Sequence, residues 1–204
     1  MPPTQVVRVD AAAPDLGVMR QAAQVLRAGG LVAFPTETFY GLGAAGLDPE
    51  ATRRVFAAKG RPASMPLLLL VDSRAMVAAV AASIPPQATP LMERHWPGAL
   101  SLVLPAARGV PAEVTAGTGT VGVRVSAHPV ARALVRALGE PVTAPSANRT
   151  GGAPPVTAEE VLAQLDGVIE LILDAGPTPG GAPSTILDVT VDPPRLLRQG
   201  AVLV

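Results

Sequence analysis

Two hydrophobic periods alternate along the chain. Asp15–Ala28 carries Leu16, Met19, Ala23 and Leu26 at helical spacing, and Gly29-Gly30 closes it, because glycine takes a left-handed C-cap cheaply. Asp48-Pro49-Glu50 opens a second helix with a capping side chain, a proline in the first turn and an acidic group at the positive end, and Gly60 ends it. Residues 73–95 read as two helices broken at Pro85-Pro86, and 128–138 as a helix that begins at His128-Pro129 and stops at Gly139. Thr157-Ala158-Glu159-Glu160 is a capping box before 161–165. Strands are predicted at 5–9, 31–34, 67–71, 100–104, 121–125, 142–144, 169–173, 185–189 and 196–197. This alternation predicts an α/β (α+β) fold with one large sheet, and with no convincing domain boundary or internal repeat the expectation is a single domain over 1–204. Two Gly/Pro-rich stretches, 145–155 and 176–183, are too short for linkers and are expected as loops over a site, the second of them mobile.

Composition narrows the classes. Net charge is zero and aromatics are 2%, so neither the basic footprint nor the stacking platforms of a conventional single-strand binder are present. The absence of cysteine excludes disulfides, thiolate zinc sites and a cysteine nucleophile. The longest uninterrupted aliphatic run is 67–71, far short of the roughly 20 residues that span a bilayer, and residues 1–10 do not read as a signal peptide. A soluble cytoplasmic chain is expected, with no membrane partner. Lys59 is the lone lysine among 16 basic residues; all others are arginine, as a coding bias that replaces lysine wherever chemistry permits would give, and on that reading Lys59 is left either by chance or as a site where arginine will not do.

Several segments could carry chemistry. Phe34-Pro35-Thr36-Glu37-Thr38-Phe39-Tyr40-Gly41-Leu42-Gly43 follows a strand and reads either as a glycine turn or as hydroxyls and bare backbone lining a ligand. Lys59-Gly60-Arg61-Pro62 places two cations at a helix C-terminus, where they complement the dipole or clamp an anion. In Thr120-Val121-Gly122-Val123-Arg124-Val125, Arg124 is out of phase with its apolar neighbours, so it faces solvent or a pocket that takes a carboxylate or phosphate. Pro145-Ser146-Ala147-Asn148-Arg149-Thr150-Gly151, Pro183-Ser184-Thr185 and Arg198 leave the same choice between turn or rim and phosphate contact. The two histidines lie far apart, Ser146 is not in a nucleophile elbow, and no Asp/Glu cluster suggests a protein-built metal cage.

Taken together, FPTETFYGLG at 34–43, KGRP at 59–62, TVGVRV at 120–125, APSANRTG at 144–151, PSTILD at 183–188 and LLRQGA at 196–201 resemble, in order, the YrdC family of threonylcarbamoyl-AMP synthases in its short, single-domain form. The resemblance implies an open, twisted mixed sheet flanked by helices, with a concave basic cavity. It implies that L-threonine, bicarbonate and ATP give L-threonylcarbamoyladenylate and pyrophosphate, with Mg2+ carried on ATP. Downstream transfer proteins would pass the threonylcarbamoyl group to tRNA, and double-stranded RNA or tRNA binding belongs to the same picture. By resemblance Lys59, Arg61, Thr120, Ser146, Asn148 and Arg198 are the ATP side, with Lys59 and Arg61 catalytic. Thr36, Arg124, Ala144 and Ser184 are the threonine side, Arg124 pairing the amino-acid carboxylate. Three positions depart from the family pattern: Met65 where many members have a polar residue, Leu70 where many have histidine, and Pro154 where many have serine. An RNA-binding or maturation factor without synthase activity, or a paralogue with another acceptor, is the alternative reading.

Overall fold

In chain order the elements are β1 (Gln5–Arg8), α1 (Leu16–Arg27), β2 (Val32–Pro35), β3 (Tyr40–Gly43), α2 (Pro49–Lys59), β4 (Leu68–Leu70), a 3₁₀ turn (Ala75–Ala79), α3 (Ala88–His95), β5 (Leu100–Pro105), α4 (Ala112–Thr115), β6 (Thr120–Arg124), α5 (Pro129–Leu138), β7 (Val142–Thr143), α6 (Ala158–Leu165), β8 (Leu171–Asp174), β9 (Thr185–Asp188) and β10 (Arg195–Arg198). They come from a computed structural model that describes residues 3–204.

The helices begin where a side chain can accept from free backbone N–H groups. Asp15 accepts from Val18 N, Asp48 from Glu50 N and Ala51 N, and His128 Nδ1 from Val130 N. At α6, Thr157 accepts from Glu160 N, but the Glu160 carboxylate reaches Val156 N rather than closing the box on Thr157. The face of α1 that packs inward is Met19, Ala22, Ala23 and Leu26; Leu16, expected with them, is 68% exposed because it is the first residue of the helix and projects past the core. Arg27, at the end of α1, donates to the last carbonyls of α5, Ala137 O and Leu138 O, and so ties the two helices together where the α5 dipole is negative.

The strands form two mixed sheets, ordered β1-β8-β2-β3 and β10-β9-β5-β6-β4-β7, where one large sheet was expected. The sheets meet at β3 and β7 through the single bridges Gly41–Ser146 and Ala45–Val142 and through Thr143 Oγ1, which accepts from Ala44 N and donates to Leu42 O. Pro145 lies between them; it accepts from Leu42 N but has no N–H to return, so a continuous ladder cannot form there. Residues 40–43 are a fully buried strand and not a turn: β3 pairs antiparallel with β2, and Tyr40 and Leu42 enter the core beside Phe34. Apart from the exposed edge strands β1 and β10, the sheets bury mostly aliphatic side chains, which explains why strands such as β4, β5 and β8 read as continuous apolar segments. No helix is long and apolar enough to cross a membrane among the described residues.

Candidate functional site

Strand β6 positions the most informative side chain. Val121 and Val123 point into the core, so the opposite face presents Thr120, Gly122 and Arg124. That face is not solvent. It forms a wall of a cavity of about 1040 Å³ at the junction of the two sheets. The β2–β3 connection adds Thr36 and Thr38, β3 adds Tyr40 and Gly41, and the loop after β7 adds Ala144, Pro145 and Ser146. Ser184, Asp188, Arg195 and Arg198 close the far side, with Arg61 and Pro154 at the rim. Of the candidates, Thr36, Arg61, Thr120, Arg124, Ala144, Ser146, Ser184 and Arg198 are thus brought to one cavity.

Lys59 and Asn148 are not in its lining. Both are buried: Lys59 lies behind the 145–152 loop, its Nζ donating to Ser146 O and Asn148 O, and Asn148 lies within that loop, its Nδ2 donating to Arg149 O and Gly152 O. The reason is local. Lys59 is the last residue of α2, Gly60 reverses the chain in the left-handed conformation, and the loop carbonyls are the nearest acceptors for the ammonium. Asn148 Oδ1 is buried without a partner. Burial pulls the Lys59 ammonium down to about 8, with nearby Arg61 adding repulsion. The departures sit differently: Pro154 lines the cavity, Met65 lends only its carbonyl to Arg61 Nε, and Leu70 is buried beside Arg124 in the β4–β6 register without reaching the lining.

Electrostatically the lining is one-sided. Arg61, Arg124, Arg195 and Arg198 face the cavity, and Asp188 is the carboxylate among its lining residues. Asp188 is already engaged, accepting from Thr190 N, Thr190 Oγ1 and Arg195 Nη2. Arg61 rests on Met65 O and Pro66 O, and Arg198 on Ser184 O and Ser184 Oγ. Burial lowers the pKa of Arg61, Arg124 and Arg198, and repulsion from Arg124 lowers Arg198 further. Such a set of donors is built to receive anionic oxygens.

Other groups at the site gave no separate signal in the sequence. Ser101 Oγ lies 3.0 Å from Ser184 Oγ, fully buried. Tyr40 donates to Gly176 O, and Gly180 N and Thr178 N donate to Thr38 O and Val156 O; these bonds tie down the 176–183 segment, whose Gly181 and Pro183 reach the cavity. Burial, then the Asp174 carboxylate, pushes the Tyr40 phenol up to about 12, so it stays a donor. Glu37 sits in a recognisable motif, but nothing in its sequence context shows which way its carboxylate turns.

The profile of the Sua5/YciO/YrdC family, described as "Telomere recombination", matches residues 24–200. The chain belongs to the Sua5/YciO/YrdC family. It is 47% identical over 184 residues to a threonylcarbamoyl-AMP synthase of Pyrococcus abyssi, an alignment that covers 90% of this chain and 54% of the relative. The crystal structure of P. abyssi Sua5 complexed with L-threonine superposes with a TM-score of 0.93 at 45% identity, covering 97% of this chain and 58% of that one. Escherichia coli YciO superposes with a TM-score of 0.88 at 28% identity over 97% of this chain and 96% of its own. The chain spans about half the length of the first curated relatives it matches.

Proposed function

We propose that this chain is a nucleotidyltransferase that makes L-threonylcarbamoyladenylate and pyrophosphate from L-threonine, bicarbonate and ATP, for threonylcarbamoyl modification of tRNA. The observation that carries the reading is the cavity itself, arginine-lined, with its lone lining carboxylate already neutralised, in a chain of this family. The P. abyssi relative is named for this activity and its Sua5 holds L-threonine, which supports threonine as one substrate.

The chemistry fits the donors. The threonine amine attacks the bicarbonate carbon, a C–N bond forms as a C–O bond breaks and water leaves, and one oxygen of the resulting N-carboxythreonine carboxylate attacks the ATP α-phosphorus. A P–O bond forms there as the bond to the bridging oxygen of the β-phosphate breaks, and that oxygen leaves with pyrophosphate. Two anions must be held in line, so the site needs cations and N–H donors more than a covalent nucleophile. Arg61, Thr120, Ser146 and Arg198 would take the triphosphate side, with Lys59 and Asn148 shaping the loop behind Ser146. Thr36, Arg124, Ala144 and Ser184 would take the amino acid, Arg124 pairing its carboxylate. Magnesium would arrive on the phosphates as part of the substrate, since Asp188 has its oxygens occupied by Thr190 and Arg195.

The test is direct. Incubated with ATP, L-threonine, bicarbonate and Mg2+, the protein should release pyrophosphate and accumulate the adenylate, with both products dependent on threonine. Release of neither would overturn the reading. Arg61→Ala should lower kcat/KM about 10²-fold, the scale of losing one transition-state donor; activity within about twofold of wild type would remove Arg61 from the machinery.

A further inference from the structure

Arg124 is almost fully buried, yet its side chain makes no hydrogen bond among the described residues. Its Nε is sealed from solvent with no acceptor, and the residue lines the cavity. A buried cation left like this is costly unless a counter-charge lies close. Arg198, a charge in the cavity that Arg124 acts on, has the wrong sign. The counter-charge comes from behind. Thr36 and Thr38 face the cavity, and Glu37 between them does not line it. Its Oε1 stands 3.6 Å from Arg124 Nη1, within ion-pair range but beyond a hydrogen bond. That Oε1 is itself buried without a partner. The other oxygen, Oε2, accepts from Ser126 Oγ, and Ser126 Oγ accepts in turn from His128 N at the start of α5. The carboxylate is therefore anchored to the β6–α5 connection and aimed at the back of the guanidinium.

We propose that Glu37 is a positioning residue: anchored by Ser126, it offsets the buried charge of Arg124 from the rear and holds the guanidinium so that its cavity-facing N–H groups remain free for a substrate carboxylate. The inference rests on the synthase reading for the identity of that substrate, but the positioning itself does not. A carboxylate at hydrogen-bonding distance would consume the donors; one at 3.6 Å stabilises the charge and leaves them available. Glu37 acts through Arg124 and touches no substrate.

The test uses Glu37→Gln, which keeps the shape and removes the charge, with Glu37→Asp as the charge-retaining comparison. KM for L-threonine should rise about 10-fold or more in Glu37→Gln, the effect of weakening a charge-assisted hydrogen bond. KM for ATP and kcat should stay within about twofold, because a contact made equally in ground and transition states moves KM alone. A merely structural role would lower the active fraction, and so kcat, without separating the two substrates. Glu37→Asp should recover part of the loss. Should Glu37→Gln fail to fold, Ser126→Ala, which loosens the carboxylate and leaves both charges in place, should raise the threonine KM by a smaller factor. An independent readout is water exchange at the Arg124 Nε–H, followed by NMR of the full chain and assigned with Arg124→Lys. It should quicken severalfold in Glu37→Gln, or in Ser126→Ala if that is the variant that folds. A threonine KM within about twofold of wild type, or unchanged Nε–H exchange, overturns the proposal. If wild-type protein makes no adenylate, the synthase reading fails and the exchange measurement alone decides the role of Glu37.

Discussion

Lys59 holds its charge where no carboxylate answers it. Two backbone carbonyls are its partners, and burial brings its pKa to about 8 against an ordinary 10.5. Between those values the unfolded chain binds a proton that the folded chain does not, so stability should rise with pH across that interval and be lost again as pH falls through about 8. Tyr40 works in the opposite sense, because its folded pKa of about 12 exceeds the ordinary 10.0, so stability from that group falls as pH rises above 10. The window for Lys59 is thus about 8 to 10. Urea titrations of wild type and Lys59→Met across it should diverge, with wild type gaining stability relative to the variant as pH rises; parallel curves would mean that Lys59 is not buried in its charged form. The same residue shows how far one side chain can be read from sequence. Its singularity among arginines left open a special position, and the position is special, but the ammonium lies behind the loop and not on the cavity wall. Which carbonyls come within reach of a helix-terminal lysine is decided by the loop that returns some 90 residues later, and no local pattern carries that.

At the scale of elements, the caps were legible and the pairings were not. Asp48 and Thr157 read as caps because an acceptor side chain beside free N–H groups is a local matter, while Asp15 and His128, read as the first residues of their helices, are caps as well. Asp48→Ala should therefore cost about 1 kcal/mol in urea denaturation, within the usual range for a lost cap; no change would mean that α2 is held by packing alone. Strand β3 escaped because Tyr-Gly-Leu-Gly has the composition of a turn, and its strand character comes from β2 on one side and the 142–147 segment on the other. The LLRQGA segment repays the same scrutiny. Gly200 N and Val202 N donate to Thr185 Oγ1, Thr185 Oγ1 donates to Val202 O, and Ala201 N donates to Pro183 O, so the chain after β10 clasps the Ser184 loop. A Cβ on Gly200 would stand 2.1 Å from Pro183 O and 2.5 Å from Ser184 C, contacts with backbone that cannot turn aside. Gly200→Ala should therefore displace Ser184 together with Arg198, which leans on it. The expected result is a kcat/KM lowered 10-fold or more on the order of a lost oriented contact, with far-UV circular dichroism unchanged. Wild-type kinetics would show that the clasp does not shape the site.

Across the whole molecule, the cavity is where two sheets with few direct hydrogen bonds face each other. Thr36, Thr38, Tyr40 and Gly41 belong to the smaller sheet and its turn, while Thr120, Arg124, Ser184 and Arg198 belong to the larger sheet or its flanks. A zero net charge for the chain therefore conceals a local concentration of arginine, and overall charge says nothing about small anions even though it argues against general affinity for nucleic acid. Arg124 and Arg198, both on the larger sheet, repel one another at the cavity. An anion placed between them offsets the repulsion, and its binding stabilises the fold by mass action. A single ligand at about 100 times its Kd adds about 2.7 kcal/mol. Threonine and ATP bound to separate, indifferent sites would give additive shifts in Tm. If instead they share this cavity, each offsetting cations that the other also touches, the second anion gains less than it would alone, and the shift with both present should fall short of the sum of the separate shifts. Thermal unfolding with Mg-ATP, with L-threonine and with both, bicarbonate omitted so that no turnover occurs, measures the difference. Purely additive shifts would place the two ligands in regions that do not communicate.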